Sequence, residues 1–272
     1  MRRVLPLRWF VSWGAAGVPV VAVMGSAWAG DPWATAVVSY NAGAGVDPNF
    51  TDSSAAIGMP TRVNFFGDSV TPFNSPYWYT DVVGIGRGGH LTVRFDTPIL
   101  NDPNNPYGID LLIFGNQFYV TDANGRVSGI FDEGGTIELS SDGVTWVTLI
   151  GVSPEGGFPT LGWQDIADLQ FGSDLGTIPT DFTRPVDPSL SALGLTREEL
   201  AAAYAGSGGG LGIDIGAWGL SSVSYVRVSN DIDALGTPEI DGFARVTPIP
   251  SPGVLAAASF AGVWAGVRRR RR

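Results

Sequence analysis

The stretch TIELSSDGVTWVTL, Thr136–Leu149, decides how the rest of the chain is read. Ile137 and Leu139 alternate with Thr136, Glu138 and Ser140, the period-two pattern by which a strand buries one face. Asp142-Gly143 reads as a tight turn, because glycine takes up positive φ at no steric cost. Thr145–Leu149 then returns with β-branched and aromatic residues, which completes a predicted hairpin. Working outward, His90–Phe95 repeats the alternation. Leu111–Phe114 is apolar on both faces, as a covered central strand should be. Ser224–Val228 and Ile240–Val246 supply two late strands. One helix is expected over Arg197–Ala205, with Thr196 as its cap and Glu199 placed for a capping box. Many short strands with one decorating helix predict a mainly β protein, a jelly-roll type β-sandwich.

The two ends carry a different kind of signal. Arg2, Arg3 and Arg8 precede an apolar run from Trp9 to Met24, and Ala27-Trp28-Ala29 offers small residues at the positions a signal peptidase inspects. The expectation is a signal peptide over residues 1–29, cut before Gly30, with an uncleaved anchor as the alternative. At the other end, residues 253–267 are uncharged and mostly small and apolar, and Arg268–Arg272 follow as five consecutive arginines. As a helix, that run reaches about 22 Å against a hydrocarbon core of roughly 30 Å, and arginine at its end can extend to the headgroups. Arginines favour the cytoplasmic side, which leaves the body outside. The alternative is an apolar core helix with a solvated basic tail.

Between the ends lies a body of residues 30–247, long enough for one sizeable core. The chain has 16 basic residues against 26 acidic ones and no cysteine. Eight of those arginines fall in the body together with every acid, leaving it near −18. Nucleic acid, which needs a basic surface, is not an expected partner. Without cysteine no disulfide stabilises the fold, and a thiolate nucleophile is excluded by counting. Residues 151–220 form a long glycine-rich excursion, with GSGGG (Gly206–Gly210) read as its loosest part.

Three constellations are candidates for chemistry. The loop SNDIDALGTPEID (Ser229–Asp241) gathers Asp231, Asp233, Glu239 and Asp241, and GVDPNFTDSS (Gly45–Ser54) adds Asp52. Hard oxygen donors on turns are what calcium requires, so Ca2+ is the candidate cofactor, against the alternative of a solvated acidic loop. The stretch FNSPYWYT (Phe73–Thr80) concentrates Tyr77, Trp78 and Tyr79 beside proline, rings that either stack on sugars or plug a core. His90, the only histidine, is placed at the start of a strand after Gly88-Gly89, as an edge residue, with no Gly-x-Ser-x-Gly elbow to meet it. No catalytic residue is therefore assigned. Paired carboxylates leave a glycan-active hydrolase open, since 26 acids always allow some suitable pair.

Two resemblances follow from these residues. Pro248-Ile249-Pro250-Ser251, the apolar run and the cluster from Arg268 onward resemble the PEP-CTERM sorting signal of bacterial surface proteins, although Ile249 stands where that family most often has glutamate. The resemblance implies a tail over residues 248–272, with Pro248, Pro250, Ser251 and Arg268 in its motif. It implies an exosortase-type membrane enzyme as sorting partner, and a temporary membrane anchor. SSDGVTWVTL (Ser140–Leu149) followed by VSYVRVSND (Val223–Asp231) is similar to the late strands of discoidin-like, galactose-binding-like sandwiches. GRGGHLTVRFDTPILNDPNNPYGIDLLIFGNQF (Gly86–Phe118) and TDFTRPVDPSL (Thr180–Leu190) resemble segments of cell-surface proteins that carry such tails. Together they imply an exported glycan- or matrix-binding module. A structural component of the envelope or biofilm matrix is the alternative.

Overall fold

A computed structural model describes residues 30–248. In chain order the strands are β1 (Ala36–Asn41), β2 (Val83–Gly84), β3 (His90–Leu100), β4 (Leu111–Gly115), β5 (Phe118–Thr121), β6 (Val127–Phe131), β7 (Thr136–Ser140) and β8 (Val147–Thr148). The α-helix α1 (Arg197–Ala203) precedes β9 (Leu211–Ile213), β10 (Ser222–Ser229) and β11 (Glu239–Arg245). A five-stranded sheet runs β1-β3-β10-β7-β8, a four-stranded sheet β2-β11-β4-β9, and β5-β6 form a separate hairpin. Every strand pair is antiparallel. The fold is thus mainly β with a single α-helix among the described residues.

The two larger sheets share one core. Leu91 and Val93 of β3, Ile137 and Leu139 of β7, and Val226 and Val228 of β10 meet Leu111 and Ile113 of β4 and Ile240 and Phe243 of β11. Alternation along β7 and β10 delivers these side chains to one face, as the sequence predicts. Strand β4 is buried throughout because both its faces are covered. Leu111 and Ile113 enter the shared core, while Leu112 and Phe114 pack with Phe182 and Ala244 in a second layer.

The strand bounds of β7 coincide with the expectation, but the turn after it is wider than two residues. Asp142 Oδ1 accepts from the backbone N–H of Val144 and Thr145, each at 2.8 Å, and β8 begins only at Val147. An Asx-type turn has replaced a two-residue hairpin, since the carboxylate satisfies N–H groups that would otherwise pair across the strands. His90 starts its strand as expected, but is paired on both sides. It heads β3, which lies between β1 and β10, so it pairs with Asn41 on one side and Ser229 on the other.

The excursion is not a loose connection. Leu161, Ile166, Leu169, Val186, Leu200 and Tyr204 form a second core with Tyr119 and Val127 of the β5-β6 hairpin. Helix α1 contributes Leu200, and the Tyr204 hydroxyl donates to the Pro159 carbonyl at 2.8 Å. Its start is fixed as predicted: Thr196 Oγ1 accepts from Glu199 N, and the Glu199 carboxylate accepts from Thr196 N. Thr196→Ala should remove about 1 kcal/mol of stability and lower the melting temperature by roughly 2–4 °C. Thr196→Ser should restore both in thermal unfolding followed by circular dichroism.

Candidate functional site

Two short loops on one side of the molecule bring five aromatic rings together. The first is a turn closed by the Val63–Ser69 bridge, with Phe65 and Phe66 at its tip. Buried Asn64 shapes it, its Oδ1 accepting from Phe66 N and Asp68 N, both at 3.0 Å. The second loop carries Tyr77, Trp78 and Tyr79 after the buried Ser75-Pro76. Trp78 is the hub: Phe65 stacks on it at 5.4 Å, Phe66 meets it edge-on at 4.9 Å, and Tyr79 tilts against it at 5.2 Å. Tyr77 stacks on Phe66 at 5.7 Å.

Such pairs hold one another in place by roughly 0.5–1.5 kcal/mol each beyond area burial. Four of the rings nevertheless remain open to solvent: Phe65 at 53%, Phe66 at 52%, Tyr77 at 42% and Tyr79 at 39%. The mutual stacking makes a preformed platform of ring faces and edges. The sequence reading found Tyr77, Trp78 and Tyr79 but not Phe65 and Phe66. The signal that was there is the turn chemistry of NFFGDS (Asn64–Ser69), which sets two aromatics at a loop tip where no core can take them.

Carboxylates anchor the platform from below. Asp81 is buried, accepts from Phe65 N at 3.2 Å, and its backbone N–H donates to the Trp78 carbonyl at 2.8 Å. It therefore ties both loops. Asp241 of β11 lies close behind and receives both N–H and O–H from Thr61, at 2.8–3.0 Å. Burial, with the charge of Asp81 adding to it, pushes the Asp241 carboxyl up to about 7.

The five calcium candidates do not assemble as one cluster. Asp241 faces Thr61, Glu239 faces Asn116, and Asp52 caps a short 3-10 turn by accepting from Ser54 N. Asp231 and Asp233 are exposed on the loop before β11, where Asp231 accepts from Asp233 N at 3.1 Å. Among the described residues, no three His, Cys, Asp or Glu side chains are placed to hold a metal ion together. Glu239 has different acidic neighbours, Glu133 and Glu155. Both oxygens of Glu155 accept backbone N–H groups, from Glu239 at 2.9 Å and Glu133 at 2.7 Å. Burial pushes Glu155 up to about 8 and Glu239 to about 7, the nearby carboxylates adding to each.

A cleft of about 610 Å³ lies between the β5-β6 hairpin and the excursion. Ile109, Phe158, Val186, Leu190 and Leu211 are among its walls, and no carboxyl or imidazole lines it. It offers an apolar surface without an acid–base pair. Trp163 and Trp218, ambiguous in the sequence, both pack: Trp163 on the second core with Arg62 over its ring at 5.3 Å, and Trp218 on the shared core. Pro248 is the last described residue and is exposed; Pro250, Ser251 and Arg268, like residues 1–29, lie outside the described residues. No helix among the described residues is long and apolar enough to cross a membrane. No family model matches the chain, and no curated protein matches it.

Proposed function

We propose that this chain is an exported, surface-sorted β-sandwich module of jelly-roll type that binds glycan or matrix polymer through the aromatic platform, and does not catalyse a reaction. The observation that carries the reading is the contiguous set of solvent-open rings on a buried frame. Soluble proteins rarely leave such surface exposed without a partner. Ring faces suit the apolar C–H faces of pyranose sugars, and the tyrosine hydroxyls at the rim add hydrogen bonding. The acidic body disfavours polyanions, so a neutral polysaccharide is the preferred ligand class. Export and sorting rest on the two ends of the sequence, with an exosortase-type enzyme and the membrane as partners of the tail.

Binding of the purified chain to a glycan array and to insoluble neutral polysaccharides tests the reading. Tyr77→Ala and Phe66→Ala should each weaken binding by about tenfold or more, the scale on which an aromatic anchor contributes at an interface. Tyr77→Ala, which gives up one ring pair, should lower the melting temperature by about 1–6 °C, and Phe66→Ala, which gives up more than one, by up to about twice that, with both variants still folded by circular dichroism. Silence on every sugar would overturn glycan binding and favour a structural role in the envelope or matrix. Polysaccharide turnover that disappears when one carboxylate is neutralised would instead make the protein a hydrolase.

A further inference from the structure

Gln117 is fully buried, at 0% exposure, and neither its Oε1 nor its Nε2 has a hydrogen-bond partner. Asn116, 8% exposed, donates through Nδ2 to the Glu239 carboxylate and leaves its Oδ1 unpartnered. Both residues lie in the turn between β4 and β5. Unpaired buried amides are costly, and two adjacent ones in a turn call for an occupant. Gly115 shows where Gln117 points. A Cβ at that position would lie 2.7 Å from the Glu239 carbonyl oxygen, 2.9 Å from Gln117 Oε1 and 3.1 Å from Glu155 Cγ. These groups crowd a bare Cα, so the absence of a side chain at 115 is what lets Gln117 and Glu155 approach the start of β11 this closely.

The same place collects negative charge. Glu239 and Glu133 both approach it, strapped by the two backbone bonds to Glu155, while Glu133 also accepts from Thr237 N at 3.3 Å. Ion-paired arginines among the described residues are engaged elsewhere, with Asp96, Glu199 and Glu138. Oxygen donors of two kinds, carboxylate and amide carbonyl, are the mixture a calcium ion takes up, six to eight at a time.

We propose that the β4-β5 turn binds a calcium ion through the Gln117 and Asn116 side-chain carbonyls and the carboxylates of Glu239 and Glu133, with Glu155 as a positioning residue. Water completes the shell. The Asn116 amide turns over on binding, so that Oδ1 and not Nδ2 meets the ion; the two orientations differ only in the hydrogen-bond network that assigns them. The ion would join the β4-β5 turn, the segment entering β7 and the start of β11, and so tie the two sheets at one end. This site is separate from the aromatic platform and from the exposed Asp231 and Asp233, and it stands whether or not the protein binds glycan.

The test is calcium titration of the full chain after stripping with EGTA, read by equilibrium dialysis and thermal unfolding. One calcium per chain is expected, with a rise in melting temperature of about 5–10 °C once calcium reaches a hundred times its dissociation constant. Glu133→Gln combined with Gln117→Leu should abolish both readouts. Asp231→Asn combined with Asp233→Asn should leave both intact. If the first pair fails to fold, Glu133→Gln alone, at a half-buried position, should weaken calcium binding by about tenfold or more. Absence of stoichiometric calcium overturns the proposal. So does a calcium response that is lost in the Asp231 and Asp233 variant and kept in Glu133→Gln.

Discussion

Gly209→Ala should lower the melting temperature by about 10 °C, whereas Gly67→Ala, at the same backbone φ of +88°, should lower it by only about half as much. The two positions separate backbone strain from packing. A left-handed conformation costs an L-residue roughly 1–2 kcal/mol wherever it occurs. Around Gly67 there is nothing within 4 Å of an added Cβ, so strain is the whole cost. At Gly209 the new methyl would overlap the Pro159 carbonyl oxygen and come within 2.9 Å of the Phe158 carbonyl oxygen. Those atoms are backbone and cannot rotate aside. Phe158 and Gly210 exchange hydrogen bonds in both directions, at 3.2 and 2.7 Å, and Leu161 N donates to Gly208 O at 3.0 Å. Overpacking against such a frame adds about 1–3 kcal/mol. Denaturant unfolding of both variants measures the difference; equal losses would show that the glycine run does not hold the two arms of the excursion together.

That run marks where the sequence stops being legible. Ser207–Gly210 is buried throughout, yet GSGGG reads as a flexible tract. Glycine is used both where a chain must bend freely and where two backbones must nearly touch, and only the neighbours distinguish the uses. Features set by local chemistry were readable. The period-two pattern of Thr136–Ser140 marks β7 to the residue, and Thr196 and Glu199 make the reciprocal cap their spacing implies. The double-sided burial of Leu111–Gly115 followed from its unbroken apolar run.

The candidate sites were half legible for related reasons. Tyr77–Tyr79 are contiguous and announce themselves, whereas Phe65 and Phe66 reach the platform from a separate turn. The acidic loop misled because spacing along a chain is not direction in space. Glu239 and Asp241, two apart, should share a face of β11. The pairing of β11 with β4 slips between Ile240 and Gly242, and the bulge turns Asp241 toward Thr61 while Glu239 stays with Asn116. Gln117 carries no motif at all; only its burial without partners singles it out.

Asp241→Asn should become more stable relative to the parent as pH rises, by roughly 2–4 kcal/mol between pH 4 and pH 8, measured by denaturant unfolding in EGTA. The parent carboxyl is 2% exposed, and burial lifts it from an ordinary value of 3.8 to about 7. Between those values the folded protein holds a proton that the unfolded chain has released. Its contribution to stability is therefore fully present below about pH 4 and is lost as pH climbs through 7. Full expression corresponds to about 4 kcal/mol, at 1.36 kcal/mol for each pH interval of one. Glu239 and Glu155, raised to about 7 and 8, tilt the parent curve the same way, so the variant should still lose stability with pH, only less steeply. Asparagine keeps an oxygen for the Thr61 N–H and O–H, so the comparison changes charge and leaves the contact. Asp81, whose side chain acts on Asp241, also holds Phe65, so the charge that Asp241 gains with pH would be transmitted to the aromatic platform. Tryptophan fluorescence should therefore shift between pH 6 and 8 in the parent and hold steady in the variant. Parallel stability curves would mean that Asp241 titrates as an ordinary carboxyl and carries no buried proton.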